Sequence, residues 1–159
     1  KRPPEMSGDH AGSYEYIRHA IGYYEAQGQF YDALVLLQPT SPLRTASQLK
    51  EMLSAFTLEM DMMVSVRQAQ DNPICVSFVE DDNGHLQRLF KEESTLRQEV
   101  PDVYEYNGAF YIMNIASLKK GSYNDFSDIS KYIMDERSSV DIDTLLDWDF
   151  VEFLLNRKK

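Results

Sequence analysis

The spacing of apolar positions divides the first half of the chain into alternating helices and short buried strands. Apolar residues recur every three or four positions over residues 14–27, which predicts an amphipathic helix. A continuous apolar run at 33–37 predicts a strand buried on both faces, as in a parallel sheet, and residues 62–66 predict a second short buried strand. Between them Thr45 and Gln48 form a capping box that opens a second helix. This order predicts a β-α-β unit with a right-handed crossover.

The second half of the chain has a different pattern. Residues 75–79 are predicted to form a strand that is followed by an Asp-Asp-Asn-Gly turn, and this middle region resembles an excursion from the main sheet. Another strand is predicted at 109–113, after Asn-Gly, and residues 122–130 are polar and typical of a loop. Thr144 is predicted to open the last helix, which has apolar residues on one face. The pattern as a whole predicts an α/β fold.

Composition narrows the possible classes of protein. A length of 159 residues predicts one domain, and 43% hydrophobic and 12% aromatic residues are ample for a core. A net charge of -10 argues against a nucleic-acid surface, and no apolar run reaches the length of a membrane span. Cys75 is the single cysteine, which predicts a reducing compartment, the cytoplasm.

Two aspartates, Asp141 and Asp143, are the strongest candidate for metal chemistry. Their two-residue spacing places both carboxylates on the same side of an extended segment. Mg²⁺ prefers a few carboxylates together with water and phosphate, so the pair suits this ion. The alternative is that the pair supplies negative charge to the N-terminus of the following helix. A second pair, Asp147 and Asp149, lies within the helical pattern and is interpreted as solvated surface.

Polar residues directly after the first buried strand are candidates for binding a ligand. Gln38, Thr40 and Ser41 could donate or accept hydrogen bonds from a polyhydroxylated ligand, or could merely complete a loop before the next helix. Arg44 and Arg97 could hold a carboxylate or phosphate through a bidentate fork, or could be surface charges. The histidines have no zinc-ligand spacing, and no motif indicates a covalent nucleophile.

Four segments together resemble the acylneuraminate cytidylyltransferases, the CMP-sialic acid synthetases, from the first residues of the chain to its last helix. These segments are Arg-Pro-Pro-Glu-Met-Ser-Gly-Asp at 2–9, Leu-Leu-Gln-Pro-Thr-Ser-Pro-Leu-Arg at 36–44, Asn-Gly-Ala-Phe-Tyr-Ile at 107–112 and Ser-Val-Asp-Ile-Asp-Thr at 139–144. Their number and order make the resemblance specific.

The resemblance implies transfer of CMP from CTP to the anomeric hydroxyl of an acidic nine-carbon sugar, with release of pyrophosphate. It implies that Asp141 and Asp143 are catalytic and hold Mg²⁺, with Asp143 nearest the sugar carboxylate and the attacking hydroxyl. The remaining implied site residues contact the two substrates: Arg2 and Ser13 the nucleotide, and Gln38, Arg97 and Tyr111 the sugar.

The resemblance also implies an architecture. We expect a three-layer, Rossmann-like nucleotidyltransferase fold with a mainly parallel or mixed sheet, and one domain over 1–159. Residues from about 71 to 106 would form a dimerisation arm inserted in that domain, so a homodimer is expected. Members of the family begin with a strand and a phosphate loop that do not occur in this sequence, so we expect the 159 residues to be inactive alone.

Some residues depart from the family pattern, and they leave alternatives open. Cys75 and Glu105 replace an expected lysine and arginine, and Asn124 and Asp125 replace an expected aromatic pair. The substrate could therefore be legionaminic acid, pseudaminic acid or an eight-carbon ulosonic acid. A non-catalytic dimer that binds sugar or nucleotide is a further alternative. A phosphohydrolase is disfavoured, because no acid/base residue is evident near the aspartates.

Overall fold

The computed structural model describes residues 13–90 and 100–157, except the side chain of Ser13. The helices are α1 (Ser13–Glu25), α2 (Ala46–Ala55), α3 (Pro73–Val76), α4 (Ile115–Lys120) and α5 (Leu145–Asn156), with a 3₁₀ turn at Tyr123–Asp125. The strands are β1 (Ala33–Leu36), β2 (Met62–Gln68), β3 (Phe78–Glu80), β4 (Leu86–Arg88), β5 (Tyr104–Asn114) and β6 (Ile129–Ile133).

Four of these strands form a mixed sheet in the order β1-β5-β2-β6. Strand β5 runs antiparallel to both β1 and β2, whereas β6 runs parallel to β2. Strands β1 and β2 therefore point the same way, as the β-α-β prediction requires, but β5 lies between them. The α/β class and the mixed sheet are confirmed.

Strand β2 is buried on both faces over residues 62–66, as predicted. Met62, Val64 and Val66 point into one apolar cluster, which also contains Ile17 of α1 and Leu118 of α4. Met63 points the other way into a second cluster, which contains Met52 of α2 and Phe110 of β5. Residues from helices thus pack against both faces of the central strand.

Helices α2 and α5 both begin at the threonine that the sequence predicts. Thr45 accepts from the backbone N–H of Gln48, whose side chain accepts in return from the backbone N–H of Thr45, so this predicted box is confirmed. Thr144 opens α5, as predicted. The apolar face of that helix is only partly covered, since Val151 is buried while Leu146 is 76% exposed.

Three local predictions were wrong. Residues 75–79 do not form one strand, because Asn72 caps the short helix α3 with Pro73 in its first turn, and β3 begins only at Phe78. Strand β1 is not buried on both faces, since its Val35 side chain is 38% exposed, and it lies at an edge of the sheet that the described residues form. The polar stretch 122–130 contains the 3₁₀ turn and the start of β6.

Strands β3 and β4 form a separate two-stranded hairpin within the predicted arm. Phe78 pairs with Arg88, and Glu80 pairs with Leu86. Every residue of the two strands is exposed. The hairpin therefore has no apolar core of its own within the described chain.

No helix in the described part of the chain is both long enough and apolar enough to cross a membrane.

Candidate functional site

A bulge in β5 forms the frame of the candidate site. Val64 of β2 pairs with Tyr111, whereas Val66 pairs with Tyr106, so β5 contributes five residues over a distance that β2 covers in two. The intervening residues, including Asn107 and Gly108, are displaced from regular pairing. Such bulges bend a strand and redirect its side chains, often beside functional sites.

The side chain of Asn107 fixes this bulge from within the protein. Its Oδ1 accepts from the Ser65 hydroxyl at 2.6 Å and from the Ala109 backbone N–H at 3.2 Å. Its Nδ2 donates to the Ser139 hydroxyl at 2.9 Å and to the Met134 sulfur at 3.3 Å. Asn107, Ser65 and Ser139 are all buried. Because each bond is made without competing water, the network specifies one bulge geometry.

Gly108 is the point at which the three described segments of the family resemblance meet. A Cβ atom at this position would lie 2.5 Å from Gln38 Oε1, 3.2 Å from Ser41 Oγ and 3.4 Å from Asp141 Oδ2. The backbone φ of Gly108 is +75°, a left-handed conformation that glycine adopts without steric strain. The position therefore requires glycine both for its conformation and for the close approach of the two neighbouring loops.

Two hydrogen bonds hold the aspartate loop against the loop after β1. The backbone N–H of Ile142 donates to the Thr40 carbonyl at 2.9 Å. The buried Ser41 hydroxyl lies 3.1 Å from Asp141 Oδ1 and 3.3 Å from the Asn107 carbonyl oxygen, both of which can accept from it. Asp141 is thereby oriented from two sides, by Ser41 and by the approach of Gly108.

Asp143 lies at the start of α5, where a second carboxylate organises the chain. Asp147 accepts from the backbone N–H of Asp143 at 3.2 Å and of Thr144 at 2.8 Å, and from the Thr144 hydroxyl at 2.7 Å. These hydrogen bonds, chiefly those from Thr144, lower the pKa of Asp147. Asp147 lies at the solvated surface, as predicted, and its carboxylate also completes the helix cap beside the aspartate pair.

The aspartates border a polar cavity of about 280 Å³. Its lining residues come from β2, from β5 and from the segment leading into α5: Arg67, Tyr106, Asn107, Ser139, Asp141, Asp143 and Asp147. This space is called the aspartate cavity below. The structure places the two predicted metal ligands, Asp141 and Asp143, at one cavity.

A second cavity, of about 350 Å³, contains the other two predicted site residues that the structure describes. It is called the tyrosine cavity below and is lined by Leu36, Gln38, Met62, Tyr106, Tyr111, Met113, Tyr123, Asn124 and Ile129. Tyr106 borders both cavities and contacts Tyr111 edge-to-face, with ring centroids 6.1 Å apart. The two cavities are therefore neighbours that share one aromatic wall.

The surroundings of Tyr111 in the tyrosine cavity shift the pKa of its hydroxyl. Burial is the largest cause that raises the pKa of its hydroxyl, followed by the charges of Tyr106 and Asp141. The phenol consequently stays protonated at neutral pH and can donate a hydrogen bond to a ligand in the tyrosine cavity.

Arg44 is held within the protein rather than facing a ligand. Its guanidinium donates to the carbonyl oxygens of Gln38 and Ala109 and lies 5.9 Å from the centroid of the Phe110 ring. Burial lowers its pKa from the usual value. Arg44 thus links the loop after β1 to β5.

Three predicted site residues cannot be placed. Arg2 and Arg97 lie outside the described residues, and for Ser13 only the backbone, at the start of α1, is described. The structure adds lining residues that sequence reasoning missed, Arg67 and Tyr106. Neither belongs to a recognisable motif, and only the paired strands bring them to the cavity.

The carboxylates of Asp141 and Asp143 are the candidate metal donors at this site. Within 13–90 and 100–157, no three His, Cys, Asp or Glu side chains are grouped so that they could hold a metal ion on their own. Asp141 and Asp143 instead supply two oxygen donors, which is the usual protein contribution to Mg²⁺ when substrate phosphates and water complete the shell. The residues present fit that mode of binding.

Comparison with known proteins supports the resemblance noted in the sequence. No family model matches the chain. An N-acylneuraminate cytidylyltransferase of Escherichia coli O18:K1:H7 is 31% identical over 99% of the chain and 37% of its own length. Post-translational flagellin modification protein B of Campylobacter coli is 27% identical over 99% of the chain and 68% of its own length. Pseudaminic acid cytidylyltransferase of Campylobacter jejuni (strain NCTC 11168) is 24% identical over 96% and 66%.

The extent of these matches differs between the relatives. The chain spans about a third of the length of the acylneuraminate cytidylyltransferases it matches, at 34% and 37%. The predicted resemblance is confirmed: over most of its residues the chain is similar to N-acylneuraminate cytidylyltransferases and to related CMP-sialic-acid-type synthases.

Proposed function

We propose that this chain forms the catalytic part of an enzyme that transfers CMP from CTP to the anomeric hydroxyl of a nonulosonic acid and releases pyrophosphate. One observation supports this most strongly. Gln38, Gly108 and Asp141, from three separate family-like segments, converge at one point between the aspartate cavity and the tyrosine cavity. Relatives named as cytidylyltransferases are similar to most of the chain.

The aspartate cavity is the proposed place of phosphoryl chemistry. Asp141 and Asp143 would hold Mg²⁺, and the Ser41 hydroxyl keeps the Asp141 carboxylate in place. The ion, when bound, would neutralise charge that develops on the phosphate oxygens during in-line attack at the α-phosphorus. By the family resemblance, Asp143 faces the sugar carboxylate and the attacking hydroxyl.

The tyrosine cavity is the proposed sugar site. Gln38 offers an amide, Tyr111 offers a protonated hydroxyl, and the ring of Tyr106 forms the wall shared with the aspartate cavity. An acidic polyhydroxylated sugar could therefore place its hydroxyls against these donors and its anomeric end toward the aspartates. The roles of Arg97 at the sugar, and of Arg2 and Ser13 at the cytidine, remain predictions from the resemblance.

A related acid is the second candidate substrate, and Asn124 favours it. Asn124 lines the tyrosine cavity at a position where the family resemblance predicts an aromatic residue against the acyl group. An amide there offers hydrogen bonds in place of apolar contact. This change suits legionaminic or pseudaminic acid, whose substituents differ from those of N-acetylneuraminate, and one relative is named a pseudaminic acid cytidylyltransferase.

We also propose that the enzyme is a homodimer assembled through the β3–β4 hairpin. Phe78, Val79 and Leu86 are between 45% and 71% exposed there. A two-stranded hairpin is at best marginally stable alone, so cover by a second copy would stabilise it. The three-layer nucleotidyltransferase-like fold and a cytoplasmic location likewise remain predictions.

The test is pyrophosphate release by the full-length protein with CTP, Mg²⁺ and a panel of nonulosonic and eight-carbon ulosonic acids. We expect turnover with at least one nonulosonic acid, and a loss on the order of 100-fold in Asp143→Asn. Asp149→Asn is the matched control, because Asp149 is an exposed residue of α5 that does not line the aspartate cavity. It should retain wild-type activity.

The panel separates the proposals from each other. Turnover with N-acetylneuraminate would establish the sialic-acid assignment, and turnover with a related acid alone would support the second candidate. An absence of turnover with every acid and nucleotide would overturn the enzyme proposal and favour a binding module.

A further inference from the structure

We propose that Arg67 is a substrate-binding residue that holds an anionic group, phosphate or carboxylate, at the aspartate cavity. The proposal rests on the proposed function, since it concerns the substrates of the same site. Arg67 lies near the end of β2, beyond the point where the bulge shifts the pairing with β5. That shift brings it opposite Glu105 and to the rim of the cavity that contains Asp141 and Asp143.

The charge of the aspartate cavity is the first argument. Three carboxylates, those of Asp141, Asp143 and Asp147, border it, and Arg67 is the one cationic side chain among its described lining residues. CTP and a nonulosonic acid are both anions, so they are repelled by this wall unless cations face them. An arginine at the rim would supply such a cation and offer two parallel N–H donors to a carboxylate or phosphate.

The present partner of Arg67 can be exchanged at low free-energy cost. Its Nε lies 2.9 Å from Glu105 Oε2, and the two side chains are 52% and 42% exposed. Exposed ion pairs of this kind contribute little to folding stability. Arg67 also lines a second cavity of about 550 Å³, so the residue borders open space in two places. It can therefore turn from Glu105 to a substrate.

The other described arginines near the site lack this freedom. Arg44 donates to the backbone carbonyls of Gln38 and Ala109. Arg137, which borders the adjoining cavity, donates to the Leu154 carbonyl of α5 at 2.9 Å. Both guanidinium groups hold loops or helices in place, which leaves Arg67 as the arginine suited to a ligand among the described residues at this site.

The experiment compares Arg67→Gln and Arg67→Lys with Glu105→Gln in the full-length protein. Glu105→Gln breaks the same ion pair but keeps the arginine, so it is the matched control. We expect Arg67→Gln to raise the KM for one substrate roughly tenfold or more, because a charge-assisted hydrogen bond is lost. Arg67→Lys should recover part of this loss, and Glu105→Gln should leave both KM values within about twofold.

The two substrates distinguish the two sources of the anion. An effect on the KM for CTP assigns a phosphate to Arg67, and an effect on the KM for the acid assigns the sugar carboxylate. Unchanged KM values in Arg67→Gln would overturn the proposal, as would an equal effect of Glu105→Gln, which would show that the ion pair matters rather than substrate contact.

Calorimetric titration of the same proteins with CTP and with the acid separates this proposal from the proposed function. If the wild type shows no turnover but Arg67→Gln binds a ligand more weakly than it does, the proposed reaction is overturned and the binding role of Arg67 is supported. If the wild type turns over and Arg67→Gln behaves as wild type, the reaction is supported and the binding role of Arg67 is overturned. A wild type that binds neither ligand would overturn both.

Discussion

The central sheet and the β3–β4 hairpin are stabilised in different ways. The bulge of β5 is buried and held by side chains that are distant in sequence, such as Ser65 and Ser139 around Asn107. The hairpin is exposed on every strand residue and is held by near neighbours, chiefly Asp81 in its turn. Equivalent substitutions in the two regions should therefore have very different effects.

This contrast also relates stability to function. The candidate site lies on the bulge, where hydrogen bonds from Ser65 and Ser139 fix the Asn107 side chain. The proposed phosphoryl transfer would depend on such accurate positioning. The hairpin contributes no lining residue to the aspartate cavity or the tyrosine cavity in the described chain. Its exposed apolar side chains suit a surface that is covered on assembly. Pairs of identical substitutions, one in each region, test the comparison directly.

The largest difference is expected for phenylalanine. Phe110 of β5 is 1% exposed, so Phe110→Ala should lower the free energy of unfolding by about 3–5 kcal/mol. Phe78 of β3 is 45% exposed and contacts the Arg88 guanidinium, so Phe78→Ala should cost no more than about 1 kcal/mol in the monomer. Urea unfolding at low protein concentration measures both values.

The same pair tests the proposed dimer. Sedimentation of Phe78→Ala should show weaker self-association than wild type, because a side chain covered by the second copy is lost. A Phe78→Ala protein that unfolds as easily as Phe110→Ala, with unchanged association, would contradict the view of the hairpin as a region without its own core.

The second pair of matched substitutions replaces an asparagine in each region. Asn107→Ala removes bonds to Ser65, Ser139 and the Ala109 backbone, and should lower the free energy of unfolding by about 2–4 kcal/mol. Asn83→Ala, in the exposed hairpin turn, should change it by less than about 0.5 kcal/mol. Thermal and urea unfolding of both variants check this, and equal losses would remove the distinction between the two regions.

The sequence predicted the parts of the site that local chemistry decides. Thr45 with Gln48, and Thr144 before α5, carry helix-start signals that depend on neighbouring residues alone, and both were confirmed. The Asp141–Asp143 pair and Gln38 were found from their residue types and their positions beside predicted elements. The structure places each of them at a cavity.

The parts that were missed depend on pairing between distant segments. Asn-Gly at 107–108 was interpreted only as the turn before a strand, because the register shift also depends on the distant residues Ser65 and Ser139. Arg67 gave no signal, since an arginine near a strand end is ordinary until the partner strand is known. Strand β6 was missed because its five residues follow a polar stretch and lie at the sheet edge, where only alternate side chains are partly covered.

The third pair of matched substitutions replaces a glycine in each region, because both regions contain a glycine in the left-handed backbone conformation. Gly84 has φ +80° and would place a Cβ atom 3.7 Å from Glu80 Oε1, an ordinary contact. Gly84→Ala should therefore cost about 1 kcal/mol from backbone strain alone. Gly108 has φ +75°, but its Cβ atom would lie 2.5 Å from Gln38 Oε1.

For Gly108→Ala we expect a loss of about 2–3 kcal/mol in the free energy of unfolding, because steric displacement adds to the strain. The displaced groups are Gln38 and the Asp141 loop, so pyrophosphate release should also fall sharply. Unfolding and activity measured on both variants check this. Wild-type activity in Gly108→Ala would show that the three segments need not meet closely at this point.

The smallest effects are expected for two aspartates, and they appear in the pH dependence of the unfolding free energy. Hydrogen bonds lower the pKa of Asp61, chiefly from the Ser117 hydroxyl, and that of Asp81, chiefly from the His85 backbone N–H. A carboxylate with a lowered folded-state pKa stabilises the fold above its unfolded pKa of about 3.9, and this stabilisation is lost as pH falls through the folded value. Both aspartates therefore lose their stabilising effect at acid pH, but each stabilises a different part of the chain.

The partners of Asp61 lie 56 and more residues away, at Ser117, Ser127 and Asp128, so ionised Asp61 joins α4 and the start of β6 to β2. The partners of Asp81 lie within six residues, inside the hairpin. Asp61→Asn should flatten the fall in global unfolding free energy below about pH 4. Asp81→Asn should leave that slope unchanged and instead speed amide hydrogen exchange at Asn83 and His85. If Asp81→Asn flattened the global slope as much as Asp61→Asn, the hairpin would unfold together with the central sheet, and the two regions would form one cooperative unit.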